Sequence, residues 1–338
     1  MSDEKDLKRS ADLEAHEKRK GIGRRELLRR WGFPLLAGLV LGGGGTLLRD
    51  RSGRHGRPDD DRLPQPPDWR IDPTESGRLV TSGGASPAEN LRRCLDAMGG
   101  IERFVRPGEK VVIKPNCAWD RTPAQAANTD PEIVAALARL CLGAGAASVI
   151  VVDSTCHDAK RAFERSGIGP AARAAGARVE HQDSVGTTRL DLGGTRLGPW
   201  DVLSPIAEAD RVINVPLVKH HSLARATMGL KNWIGALVGR RSTLHQRLAQ
   251  CTAELGAAFR PTLTVVDATR VLTAGGPTGG SLSLVRAVNQ VAVATDPVAA
   301  DSWAGSLLEL GTRELPHIEI AARLGLGTAD WDSVHERV

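Results

Sequence analysis

Five short apolar runs punctuate the chain: K-V-V-I-K at 110–114, S-V-I-V-V-D at 148–153, R-V-I-N-V at 211–215, T-L-T-V-V-D at 262–267 and Q-V-A-V-A-T at 290–295. Near-continuous apolar character suits strands covered on both faces, as in a parallel sheet, better than the alternation of a half-exposed one. Between and around them, apolar positions recur at helical spacing over 87–98, 131–142, 159–166, 170–175, 227–238, 242–257 and 297–310. Gly99-Gly100 closes the first of these helices, and Pro131 stands in the first turn of the second. Shorter strands are predicted over 78–81 and 178–181. Strands alternating with helices predict an α/β fold, a mostly parallel, doubly wound sheet with helices on both faces. Residues 183–200 keep neither period and predict a small β-rich excursion. No internal repeat is present.

In such a sheet ligands sit beyond the carboxyl ends of the strands, so the residues leaving each run carry the functional signal. They are Lys114-Pro115-Asn116, Asp153-Ser154, Asn214 with Lys219 and His220 shortly after, Asp267, and Asp296. Any one of them also reads as a helix cap or turn former, Asp296-Pro297 above all. Five polar strand ends together predict a site. The stretch 214–235, N-V-P-L-V-K-H-H-S-L-A-R-A-T-M-G-L-K-N-W-I-G, concentrates it, with two lysines, two histidines, two asparagines and an arginine among apolar residues.

The chemistry those residue types offer is cationic. Lys114, Lys219 and Lys231 would hold a small carboxylate or phosphate, with Asn116, Asn214 and Asn232 orienting it. Internal Lys–Asp pairs that only hold loops are the bland alternative. Adjacent histidines on an extended segment point to opposite sides; His220 is assigned to the site as a proton carrier. Asp267 and Asp296 would tune these groups or, with His220 and His245, hold a divalent cation, although no H-x-x-x-H spacing supports a metal. The glycine-rich 275–281 segment follows a strand but lacks a P-loop lysine, leaving a flexible turn or a backbone anion cradle. The G-x-G-x-x-A match at 167–172 follows a helix, not a strand, and carries no dinucleotide reading.

Charge and cysteine content narrow the partners. The chain has 338 residues and a formal net charge of +5. Residues 1–70 carry 16 Lys/Arg against 12 Asp/Glu, and the remainder 29 against 28, so the basic excess belongs to the leader and no nucleic-acid groove is indicated. Five dispersed cysteines form no C-x-x-C pair, so neither an iron–sulfur cluster motif nor a zinc knuckle is present.

Residues 1–23 alternate charge and read as disordered. G-R-R-E-L-L-R at 23–29, ahead of the glycine-rich apolar run 31–48, resembles a twin-arginine export signal. A basic amphipathic helix at a membrane surface is the alternative. No A-x-A site follows, so segment 24–48 is expected to remain as an N-terminal anchor in the inner membrane after passage through the twin-arginine machinery. The body would then lie in the periplasm. Residues 49–76, rich in Arg, Asp and Pro, read as a linker, and a single α/β domain is expected over 77–338.

Seven ordered blocks resemble the Domain of Unknown Function 362 family. They are V-V-I-K-P-N at 111–116, N-T-D-P-E-I-V at 128–134, N-V-P-L-V-K-H-H at 214–221, G-L-K-N-W-I-G at 229–235, L-T-V-V-D-A at 263–268, G-G-P-T-G-G at 275–280 and A-T-D-P-V-A-A-D at 294–301. The resemblance implies motif roles for Lys114, Asn116, Thr129, Lys219, His220, Lys231, Asn232, Asp267, Asp296 and Asp301. It also implies iron–sulfur or redox associations, but this chain lacks the cysteine-rich insert that some members carry. The leading expectation is an exported small-anion-binding protein, with His220, Lys231 and Asp267 as catalytic candidates if it is an enzyme. A redox accessory protein and a membrane-attached interaction module are the alternatives.

Overall fold

The computed structural model describes residues 63–75 and 77–338. The segments expected to be a disordered N-terminus and an export signal, and the first part of the expected linker, lie outside the described residues. The apolar runs form the middle of one sheet. β2 (Lys110–Pro115), β3 (Ser148–Asp153) and β4 (Arg178–His181) run parallel, β7 (Arg211–Val215) joins the other edge of β2, and β11 (Leu263–Leu272) runs parallel to β7. β12 (Val285–Ala294) pairs antiparallel with β11, then β1 (Leu79–Gly83) and β13 (His335–Arg337) close that edge. β8 (Leu217–His221) and β9 (Arg225–Thr227) attach to the far half of β11 as an antiparallel pair.

Period-two alternation divides the core. Val111 and Ile113 face a layer built on α1 (Pro87–Ala97), α2 (Pro131–Gly143), α3 (Ala159–Arg165) and α4 (Ile168–Ala174). Val112, Ile150 and Val152 face the opposite layer, closed by α5 (Ser204–Ala207), α7 (Leu248–Ala258) and a second sheet. That sheet joins β5 (Thr187–Asp191), β6 (Pro199–Leu203) and β10 (Leu237–Val238), and it is the excursion expected near 183–200. Each Val, Ile or Leu so enclosed contributes roughly 1.5–3 kcal/mol. Ser86, Asp130 and Asp296 cap α1, α2 and α8 (Pro297–Ser306), each ahead of a proline in the first turn.

The structure corrects several boundaries: β11 continues to Leu272, β12 begins at Val285 and α8 ends at Ser306. The helix expected over 227–238 is instead the end of β9, a single turn α6 (Gly229–Asn232) and a 3₁₀ turn (Trp233–Ala236). Tertiary contacts override helical spacing there: Asp301 takes the Gly229 and Leu230 N–H groups, at 2.6 and 3.1 Å, and Gly235 lies against Asp153. The helix expected over 242–257 begins as 3₁₀ turns (Arg241–Arg247) before α7. The linker expected through 76 also ends early. Trp69 is buried, stacks on Phe259 at 6.3 Å between centroids, and donates from Nε1 to the Ala209 carbonyl at 3.0 Å.

From β2 the chain moves outward through β3 to β4 and later returns as β7 on the opposite side of β2. This reversal leaves a crevice beyond the carboxyl ends of the central strands.

Candidate functional site

A cavity of about 580 Å³ occupies that crevice. Asn116 follows β2, Asp153 ends β3 and Ser154 and Cys156 follow it, Lys219 and His221 come from β8, and Thr227 from β9. Lys231, Asn232 and Gly235 line it from the turns after β9, with Arg241 and His245 beyond them.

At the floor of the cavity lies a buried ion pair. Lys114 Nζ is 2.7 Å from Asp153 Oδ1, and the two side chains are 0% and 2% exposed. Burial pushes the Lys114 ammonium below its ordinary range, against the upward pull of Asp153. The other carboxylate oxygen accepts the Cys117 N–H at 2.7 Å. Gly235 is required above this pair, since a Cβ there would lie 2.1 Å from Asp153 Oδ1 and 2.8 Å from Lys114 Nζ.

Next to it runs a chain of amides. Lys219 Nζ donates to Asn116 Oδ1 (2.9 Å), Asn116 Nδ2 to Asn232 Oδ1 (2.9 Å), Asn232 Nδ2 to Asn214 Oδ1 (2.8 Å), and Asn214 Nδ2 to the Gly229 carbonyl (3.0 Å). Each link fixes the orientation of the next amide, so Asn116 can only present oxygen to Lys219. Lys219 Nζ also donates to the Ala127 carbonyl at 2.5 Å. Thr129 supports this corner by accepting the Asn116 N–H at 2.9 Å and donating to the Val215 carbonyl at 2.7 Å.

The cavity carries positive charge without a matching carboxylate. Asp153 is committed to Lys114, and neither Lys219 nor Lys231 has a carboxylate within ion-pair distance among the described residues. Burial, and the nearby Lys231, bring Lys219 down to about 7; burial brings Lys231 down to about 8. The His221 ring is held neutral, at about 3, by burial and by both lysines. Its Nδ1 accepts the Leu223 and Ala224 N–H groups at 3.1 and 3.2 Å, so the ring proton sits on Nε2 and that atom is a donor. Arg241 reaches the Ser154 and Thr155 carbonyls, both at 2.7 Å. Thr227 Oγ1 is buried and has no partner among the described residues.

The structure therefore gathers Asn116, Lys219, Lys231 and Asn232 around one cavity, with Lys114, Thr129 and Asn214 in the layer that supports them. It separates the others. His220 points away: β8 alternates, so His221 shares the face of Lys219, while His220 Nδ1 accepts the Gly276 N–H at 3.1 Å. Gly276 is packed so closely on His220 that a Cβ would lie 1.8 Å from its carbonyl oxygen, so the 275–281 segment buttresses β8. Asp267 takes the Asp130 N–H at 2.7 Å and both Thr269 donors; burial and Asp130 raise it to about 6. Asp296 caps α8 and lines a separate cleft of about 220 Å³, and its carboxyl is raised by burial. Asp301 is fully buried under Gly229. The acidic groups invoked for a divalent cation are thus spent on backbone N–H groups, and no cluster of three His, Cys, Asp or Glu side chains forms among the described residues.

Residues of the cavity wall not anticipated as site members include His221, Thr227, Arg241 and Trp119. Alternation from Lys219 was available to select His221. Thr227 and Arg241 are reached only through the strand and turns that replace the expected helix.

A thylakoid-associated protein of Synechocystis sp. is 28% identical over 269 residues, which cover 75% of this chain and 77% of that protein. Among solved structures, the lactate racemase apoprotein from Thermoanaerobacterium thermosaccharolyticum is similar with a TM-score of 0.39 and 13% identity, over 72% of this chain and 61% of that one. A protein from Thermotoga maritima gives a TM-score of 0.34 and 10% identity, over 71% and 59%. The chain thus spans about three fifths of the length of either solved structure. The family model described as domain of unknown function (DUF362) matches residues 111–306, more than half of the chain, and the chain belongs to that family.

Proposed function

We propose that this protein binds a small carboxylate- or phosphate-bearing molecule in the cavity beyond β2, β3 and β8. The observation that carries this reading is the pair Lys219 and Lys231, which line one cavity while the nearby carboxylate, Asp153, is taken by Lys114. Such a pair repels itself until an anion arrives, and the anion regains in the cavity what the lysines lost on burial. The His221 Nε2–H adds a neutral donor, and Arg241 extends the positive wall. The cavity suits a metabolite-sized ligand.

Calorimetric titration with oxalate and inorganic phosphate tests the reading. Lys231→Met is expected to weaken the tighter of the two by roughly 10- to 150-fold, the equivalent of one charge-assisted hydrogen bond of about 1.5–3 kcal/mol. Equal affinity in Lys231→Met and the unaltered protein would refute it. Export by the twin-arginine route and attachment to the inner membrane through residues 24–48 are part of the same proposal, and the thylakoid-associated relative supports the membrane association. Fractionation with mass spectrometry of the N-terminus tests it: soluble protein lacking that segment overturns the anchor.

A further inference from the structure

The arrangement around Lys219 contains more than an anion site needs. Its Nζ has two acceptors, Asn116 Oδ1 at 2.9 Å and the Ala127 carbonyl at 2.5 Å, and no acidic partner. A neutral amine has two N–H bonds and one lone pair, so these acceptors take both hydrogens and leave the lone pair as the free valence of a group in the cavity wall. The amide chain to Asn232 and Asn214 prevents Asn116 from turning its NH₂ towards the amine, so the nitrogen is held as a donor to fixed oxygens. Directly across the β8–β9 ladder, Lys219 pairs with Thr227, a residue of the same cavity wall whose buried Oγ1 lacks a partner among the described residues. An oriented amine with an unspent hydroxyl beside it is the equipment for attack on a carbonyl carbon, the hydroxyl meeting the oxygen.

We infer that Lys219 forms an imine with a carbonyl compound carrying an adjacent anionic group, a 2-oxo acid being the simplest, while Lys231 holds the anion and Thr227 Oγ1 the carbonyl oxygen. This assignment rests on the anion-site reading above and adds a covalent step to it. The Nζ lone pair forms the C–N bond as the C=O π pair moves onto oxygen, and one amine hydrogen transfers to that oxygen to give a carbinolamine. The carbinolamine then expels its oxygen as water, which carries both original amine hydrogens, and the C=N bond remains. No oxidant or reductant enters. Burial and the neighbouring Lys231, which bring Lys219 to about 7, keep a share of it neutral at physiological pH.

The test uses the full chain, glyoxylate as probe, borohydride to reduce any imine to a stable secondary amine, and peptide mapping by mass spectrometry. One adduct per chain on Lys219 is expected. Lys219→Arg, which keeps a cation and cannot form an imine under these conditions, is expected to abolish it. Thr227→Val is expected to slow it at least about tenfold, the equivalent of about 1.4 kcal/mol, with an unchanged melting temperature. An adduct on Lys231 or scattered over surface lysines, or one surviving in Lys219→Arg, overturns the assignment. Oxalate binding measured on the same sample separates the two readings: binding without an adduct removes the imine alone, and loss of both removes the anion site with it.

Discussion

Replacing Asp153 by Asn removes one negative charge and almost no volume from beneath the cavity. Lys114 Nζ, 0% exposed and 2.7 Å from the carboxylate, would lose its anionic partner and keep only neutral acceptors, the Pro115 carbonyl at 3.1 Å and the one oxygen of the new amide, for which the Cys117 N–H competes. Breaking a buried pair from one side costs about 3–5 kcal/mol, because an uncompensated charge remains. At roughly 2–4 °C per kcal/mol for a domain of a few hundred residues, Asp153→Asn is expected to melt about 6–20 °C lower. The pH dependence has a definite sign. Lys114 already sits below its ordinary range, and losing Asp153 lowers it further. The unfolded lysine then binds a proton that the folded one has released, so stability rises with pH through that window and the penalty is greatest in acid. The double variant Lys114→Met with Asp153→Asn removes the stranded charge and should recover much of the loss. Scanning calorimetry from pH 6 to 9 on the three proteins decides the matter. A loss under about 1 kcal/mol, a penalty growing with pH, or a double variant no better than the single would refute the reasoning.

Two further outcomes follow from the cavity. Oxalate affinity is expected to fall at least about tenfold between pH 6.5 and 9, because Lys219 and Lys231 release protons at about 7 and 8 and only the ammonium forms attract the anion; flat or rising affinity in titration calorimetry contradicts this. His221→Ala should weaken oxalate about tenfold through loss of the Nε2 donor, whereas His220→Ala should leave affinity within about twofold and act on stability instead. The reverse ranking would place the wrong histidine at the site.

Strand positions were legible because near-continuous apolar runs admit few other readings, and Lys114 and Asn116 could be placed at a strand end for the same reason; Lys219 read as following a strand, and it lies inside β8, which no apolar run announced. The acidic residues were not, since an aspartate near a strand end looks the same whether it faces a ligand or takes backbone N–H groups. Asp267 and Asp296 do the latter, and Asp301, within α8, likewise takes backbone N–H groups. Helical spacing over 227–238 was real but lost to contacts distant in sequence: Asp301 captures two N–H groups of the turn, and Gly235 must approach Asp153. Trp69 stood in a polar stretch that read as linker, and only its stack on Phe259 reveals it as core.

The amide chain has a consequence for how the cavity comes into being. Lys219 and Asn116 are 103 residues apart, and Asn116 and Asn232 are 116 apart. Such links carry a loop-closure cost in entropy that contacts local in sequence do not. No excised fragment of the sheet can hold the complete cavity, and local fraying of β8 would dismantle it before the rest of the domain opens. Occupancy therefore reports cooperative integrity: a ligand at 100 times its Kd would hold the native ensemble together by about 2.7 kcal/mol, and amide exchange at Asn116, Asn214 and Asn232 should slow in concert.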